Sequence, residues 1–383
     1  MALCSNVTTE TITSLPSLPL ELVEEEILCR LPVKILLQLR CICKSWRSLI
    51  SDDPKFAKKH LRMSKILKQQ QHLTVNVFSS CDLISLDSLL SSVFSNISNP
   101  TFTRTQLNFP ISVSRYISLI SSCDGILCLT LDGRRSALLC NPFLRKYSEL
   151  PSLENHRKRE YSYQREVKSC LFSFGYDNFN DVYKVIAISC FKDKNNEVDV
   201  YTLGTNYWRS IQDFPYSTCN MYHPGVFVGG TVNWLAYHVS NGSFCRVIVS
   251  LDLEKESYQK IPKPDLEEDY CALMIFRDCL CIFASSNMFL DIWIMKEYGI
   301  KESWTKLYNI PYVGNQSPFP ITGYISDDDQ VLFSLFDLIN SKFKLVAYNF
   351  INGNAKIPKI QNINGFMNPG VYMESLISLP CSY

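Results

Sequence analysis

Apolar residues are spaced for helices in the first seventy positions and for strands thereafter. Leu20, Val23, Ile27, Leu28 and Leu31 follow at steps of three, four, one and three, which predicts one amphipathic helix. Glu21, Glu24, Glu25 and Glu26 crowd its N-terminal half, where the helix dipole favours negative charge. Pro32 cannot donate a backbone hydrogen bond, so the helix stops and the chain turns there. A second short helix is predicted from Val33 to Arg40. Its apolar residues, Val33, Ile35, Leu36, Leu37 and Leu39, run most of the way round. A small helical unit cannot hide all of them, so part of this surface calls for a partner. Trp46, Leu49 and Ile50 form a third stripe, and Asp52-Asp53-Pro54 offers an N-cap and N1 proline for a fourth helix ending near His60.

From about Leu73 the runs shorten and are bounded by Gly, Asn, Asp and Pro, the pattern of many strands. Asp87 to Asn99 allows one short helix or a loop. A unit then repeats: a strand, a polar turn, and a second strand with an aromatic near its start and a proline at its end. Its second strands begin at Lys146-Tyr147, Tyr207-Trp208, Tyr258 and Trp304, and the last runs to Lys356-Ile357-Pro358. The closing prolines, Pro151, Pro215, Pro262, Pro311 and Pro358, are separated by 64, 47, 49 and 47 residues, near the period of kelch-type propeller blades. Glu154 to Lys168 accounts for the long step, and Pro110 supplies a sixth unit 41 residues before Pro151. Each unit also has an earlier strand pair that is apolar on both faces, as strands near a propeller axis should be. Val371 to Leu379 is one more strand, and pairing it with the first blade would close the ring and remove an exposed edge. The fold class expected is α+β multidomain: a small all-α N-terminal module followed by an all-β propeller of six blades. A generic sandwich is the alternative that the even spacing weighs against.

Composition narrows the function. The 383 residues are 46% hydrophobic and 20% charged, ordinary globular usage. A formal net charge of +1 argues against a dedicated nucleic-acid binder. The local cluster Lys55, Lys58, Lys59, Arg62, Lys65 and Lys68 reads as a solvated helix face. The sixteen cysteines include no Cys-x-x-Cys pair; Cys41/Cys43 and Cys279/Cys281 read as small buried hydrophobes in a reducing compartment. The first seventeen residues lack the marks of a signal peptide, and no run of apolar residues is long enough for a transmembrane helix.

Residues 18 to 61 resemble the plant F-box. The words are Leu18-Pro19, Ile27-Leu28-Cys29-Arg30-Leu31-Pro32-Val33 and Cys41-Ile42-Cys43-Lys44-Ser45-Trp46-Arg47-Ser48-Leu49-Ile50. Ile35 stands where that family usually has a serine, and Leu39 where it usually has an aromatic. The resemblance implies docking onto a Skp-type adaptor, and through it onto cullin and RING subunits. By that motif the adaptor-binding candidates, as contacts or as supports, are Leu18, Pro19, Ile27, Leu28, Leu31, Pro32, Val33, Leu36, Leu39 and Trp46. The segments Ser122 to Leu129, Asn141-Pro142-Phe143, Phe174-Gly175-Tyr176-Asp177, Tyr183-Lys184-Val185 and Tyr201 to Arg209 resemble the plant F-box-associated domain. The domains implied are a disordered tail at 1–17, an F-box at 18–64 and a propeller at 65–383.

No catalytic constellation is visible. The five histidines make no metal-ligand or catalytic spacing, and Asp327-Asp328-Asp329 reads as a polar turn. The function expected is therefore a non-catalytic substrate receptor of an SCF-type ubiquitin ligase, cytoplasmic or nuclear, with no cofactor, metal, nucleic acid or membrane. A scaffold outside any ligase and a lectin-like propeller are the alternatives. Target contacts are expected in Glu154 to Lys168, Tyr216 to Pro224 and Asn315 to Pro320, with Tyr161, Tyr163, Tyr216 and Tyr222 as candidate aromatics.

Overall fold

The computed structural model describes residues 19–67, 71–78, 83–96, 100–105, 118–131, 136–153, 167–191, 196–216, 223–240, 243–266, 270–286, 289–311, 320–325, 330–337, 342–356 and 366–380. The predicted first helix is not uniform. It opens as α1 (Leu20–Leu22), widens into a π-helical turn at Val23–Ile27 and tightens into a 3₁₀ turn at Leu28–Arg30. The widened turn slips the side-chain register, so Leu28 and Cys29 point inward while Ile27 stays 44% exposed. Pro32 then acts as the N-cap of α2 (Val33–Leu39), whose Val33 and Leu36 are fully buried. Helix α3 (Lys44–Asp52) follows, and Asp53 starts α4 (Pro54–Leu67) by accepting the amides of Lys55 and Phe56 at 2.8 and 3.2 Å. Helix α4 runs seven residues beyond the expected end near His60, burying Phe56, Ala57, His60, Leu61 and Ser64 along one stripe.

Six four-stranded antiparallel sheets follow, as the repeat predicts. Blade 2 takes Ser118–Cys123, Ile126–Leu131, Ser136–Asn141 and Lys146–Glu149 from axis to rim. Blade 3 takes Val167–Asp177, Val182–Phe191, Asn196–Thr202 and Trp208–Ser210. Blade 4 is Val226–Val228, Thr231–Ser240, Ser243–Asp252 and Tyr258–Ile261. Blade 5 is Tyr270–Phe276, Cys279–Ser285, Phe289–Met295 and Trp304–Pro311. Blade 6 is Pro320–Ile325, Gln330–Asp337, Lys342–Asn349 and Asn354–Lys356. The innermost strands touch in order round the ring.

Blade 1 closes the circle. Its rim strands Gln71–Phe78, Leu83–Leu89 and Thr103–Thr105 come from the start of the propeller, while its innermost strand, Phe366–Met373, comes from the end. The closing strand thus begins and ends earlier than the expected Val371 to Leu379. After Met373 the chain leaves the ladder, because Glu374 and Ser375 bond elsewhere. Helix α5 (Leu90–Ser95) lies in the stretch that allowed one. The unit at Gln106–Pro110, the tail 1–17 and Leu18 lie outside the described residues.

The recurrent aromatic and proline have one physical origin. The Trp208 indole of blade 3 donates to the Pro151 carbonyl at the end of blade 2 at 2.6 Å. Trp304 of blade 5 does the same to Pro262 of blade 4 at 2.8 Å, and the Tyr258 hydroxyl of blade 4 donates to Gln212 at the end of blade 3 at 3.2 Å. The rim strands of blades 3, 4 and 5 are thereby each fastened to the exit of the blade before. Trp208→Phe and Trp304→Phe, which leave a carbonyl unpaired, are each expected to cost about 1–2 kcal/mol in a urea titration of the whole chain.

Candidate functional site: the helical module and its seat

The helical module sits on the propeller face made by the turns between first and second, and third and fourth, strands. Lys58 of α4 pairs with Asp181 in the first turn of blade 3, and Lys65 pairs with Asp124 in the first turn of blade 2 at 2.6 Å. The basic helix face expected to be merely solvated is therefore partly an anchor, although Lys55 and Arg62 are exposed. Burial alone would lower the Lys65 pKa, but the Asp124 carboxylate raises it.

Residues 374–380 lie between module and ring. Leu376, Ile377 and Leu379 share one core with Leu28, Cys29, Val33, Leu36, Ile50, Phe56, Ala57 and Leu61 of the helices, and with Cys123, Ile126 and Leu139 of blade 2. Asn141 donates its side-chain amide to the carbonyls of Ser375 and Ile377, both at 2.9 Å, and its oxygen accepts the amides of Phe143 and Leu144. Gly125, at φ +79°, lets the chain cross: a Cβ there would lie 2.3 Å from Ser375 Cβ and 2.6 Å from the Met373 carbonyl. The segments at Ser122 to Leu129 and Asn141 to Phe143 are thus the parts of the propeller that grip the last residues.

Glu374 is the centre of this seat. One carboxylate oxygen accepts the Val33 amide at 2.7 Å, and the other meets His72 Nε2 at 3.1 Å. His72 Nδ1 meets Asp87 at 2.8 Å, and the Tyr372 hydroxyl donates to Asp87 at 2.9 Å. The Phe143 ring packs edge-on against the imidazole. Burial alone would lower the His72 pKa, but the hydrogen bonds and charges of Asp87 and Glu374 raise it to about 9. His60, fully buried in α4 and bonded through Nε2 to the Leu31 carbonyl at 2.8 Å, behaves oppositely: burial pushes its pKa below the ordinary value.

The sequence-derived adaptor residues separate by burial. Leu28, Val33 and Leu36 are 0–2% exposed and cannot touch a visitor; the chain's own last residues and blade 2 cover them, so they are supports and not contacts. Leu31, Leu39 and Trp46 are half-buried against the same core. Pro19, Ile27 and Pro32 are exposed. Leu22, Ile35 and Ile42 are also open, at 50, 40 and 63%, and a motif read position by position missed all three. Surplus apolar residues in α2 were the signal for Ile35. Cys41 and Cys43, on either side of Ile42, are exposed, contrary to the buried role expected, whereas Cys29, Cys123, Cys128, Cys140, Cys170, Cys190, Cys271 and Cys281 are buried thiols. Among the described residues no group of side chains could hold a metal, and no helix is long and apolar enough to cross a membrane.

Of the target-binding candidates, Tyr216 packs partly buried on the core between blades 3 and 4, and Asn196 donates to its carbonyl at 2.8 Å. Tyr161, Tyr163 and Tyr222 lie outside the described residues. The strand ends that bound Glu154 to Lys168, Tyr216 to Pro224 and Asn315 to Pro320 all lie where one blade's rim strand passes to the next blade's inner strand. Those strand ends lie on the face opposite the helices.

The arrangement is thus four helical segments seated on a six-bladed propeller. Residues 15–58 match the F-box domain family, and residues 74–379 match the F-box associated beta propeller domain family. F-box/kelch-repeat protein At3g23880 of Arabidopsis thaliana is 29% identical over 97% of this chain and 98% of its own. F-box protein At3g07870 of Arabidopsis thaliana is 30% identical over 77% and 73%, and F-box protein CPR1 of the same plant is 25% identical over 85% and 83%. The chain belongs to the plant F-box proteins that carry an F-box associated propeller.

The two histidines give the seat a defined pH range. His72 has its folded pKa raised from 6.5 to about 9, so its contribution is complete below pH 6.5 and is lost as pH rises towards 9. His60 has its folded pKa lowered from 6.5, so its contribution is complete above pH 6.5 and is lost on acidification. Unfolding midpoints in urea should therefore peak near neutrality, with an alkaline limb on the order of 3 kcal/mol. In His72→Gln the alkaline limb between pH 7 and 9 should flatten; an unaltered slope would remove His72 from this role.

Proposed function

We propose that this protein is the substrate-recognition subunit of an SCF-type, cullin–RING ubiquitin ligase. The F-box grips a Skp-type adaptor, which carries the cullin and RING subunits, and the propeller presents a protein target. The observation that carries this reading is the open apolar surface of Leu22, Ile27, Ile35 and Ile42 on a module whose other side is already covered by its own chain. Such surface on a small module is completed by a partner. Ile35 and Leu39 lie four apart on α2, so one helix face meets that partner while Val33 and Leu36 hold the helix down.

The subunit contributes position and no bond chemistry. Holding a target lysine beside a charged ubiquitin thioester raises its effective concentration, and no residue of this chain need touch the reacting atoms. The target side is the propeller face opposite the F-box, where Glu154 to Lys168, Tyr216 to Pro224 and Asn315 to Pro320 leave the ring. The compartment this role requires is the cytoplasm or nucleus.

Ile35→Asp with Ile42→Asp should weaken adaptor binding by at least about 2 kcal/mol, roughly thirtyfold, with an unchanged helical circular-dichroism signal. Trp46→Ala should instead melt the module, because its indole packs into the shared core. Calorimetric titration of the folded double variant showing undiminished adaptor affinity would refute the docking surface. Cullin-dependent self-ubiquitination in a reconstituted assembly separates the receptor from a scaffold that never directs transfer.

A further inference from the structure

Resting on that reading, we propose that residues 374–380 are a rigid coupler that locks the F-box to the closed propeller, with Glu374 as its positioning residue. The adaptor is thereby held at one orientation and distance from the target face.

Three independent sets of contacts support a fixed junction. The first is polar and spans the chain: Glu374 accepts the amide of Val33, 341 positions away, while its other oxygen holds His72 of blade 1. Val33 is the first residue of α2, so its N–H has no partner within the helix. The carboxylate also sits where the helix dipole is positive. The second set ties the coupler to blade 2, through Asn141 to two carbonyls and Lys146 to Ser378 at 2.8 Å. The third is the apolar core that Leu376, Ile377 and Leu379 share with both domains.

Ring closure and F-box seating are consequently one event. The strand Phe366–Met373 in blade 1 places Glu374 at Val33, because Met373 is paired with Gln71 immediately upstream. Without that placement Leu28, Val33 and Leu36 lack their cover. On this proposal a chain whose propeller has not closed cannot present an oriented F-box.

The Val33 amide is a direct reporter. An amide at a free helix N-terminus exchanges with solvent nearly unprotected, whereas one bonded to a buried carboxylate should exchange on the order of a hundredfold more slowly or better. Hydrogen exchange resolved to single residues on the full chain should show that protection, and Glu374→Ala should abolish it while adaptor affinity changes by less than about threefold. In the reconstituted ligase the same variant should lower self-ubiquitination several-fold and spread it over more lysines, a change that adaptor binding alone would not cause. Gly125→Ala, which pushes Ser375 away without touching the F-box, should reproduce the effect if Glu374→Ala does not fold. Equal Val33 exchange in the wild type and in both variants, or an unprotected Val33 in the wild type, would overturn the coupler. Failure of the wild type to bind adaptor would instead sink the ligase reading, and the exchange contrast would still decide the coupler.

Discussion

A carboxylate buried between a helix N-terminus and a charged imidazole is the constraint on which the rest of this molecule depends. Glu374 is 6% exposed, and an unpaired charge at that depth would be strongly destabilising. It is tolerated because His72 supplies a counter-charge and Val33 a donor. Both partners come from early in the chain, Val33 from the helical module and His72 from the first propeller strand, whereas Glu374 comes late. The last strand must find the first, and the helices must find the last strand, for any of the three groups to be satisfied.

The ring carries a comparable logic from blade to blade. Lys184 in blade 3 meets Asp177 at 3.0 Å and Glu256 of blade 4 at 3.2 Å, and Glu256 in turn holds Arg209 at 2.5 Å. With the indole bonds to Pro151 and Pro262, these contacts tie blades 2, 3, 4 and 5 in sequence. Tyr183 and Lys184, which looked like family words, are a hydroxyl donor to Asp124 and the hub of this charge chain.

Much of this was legible in sequence because it is local or periodic. Proline spacing gave six blades, Asp53 announced a cap, and runs apolar on both faces located the second strands of the blades. The motif also found the right module. What stayed hidden depends on pairs far apart in the chain or on broken periodicity. Nothing local to Glu374 says that it will meet Val33. A constant helical period puts Ile27 with Leu28 and Leu31 on one buried face, and only the widened turn at Val23–Ile27 explains why Ile27 is open. Whether Leu28, Val33 and Leu36 were contacts or supports stayed open, because a motif conveys which positions matter without saying whether they face a partner or the chain's own body.

The handedness of the turns divides the propeller's two rims. Every described residue with positive φ, from Asp124 and Gly125 round to Gly353, sits in a turn on the rim that bears the helices. Those hairpins are conformationally specified and intolerant of added residues. The opposite rim holds the strand ends that lead from blade to blade, among them Glu149 and Val167, with 17 residues of sequence between them. Doubling the length of such a passage costs only about 0.6 kcal/mol in closure entropy. One rim behaves as a fixed mount and the other as a surface that insertions can resculpt, so recognition can diverge without shifting the mount by an ångström.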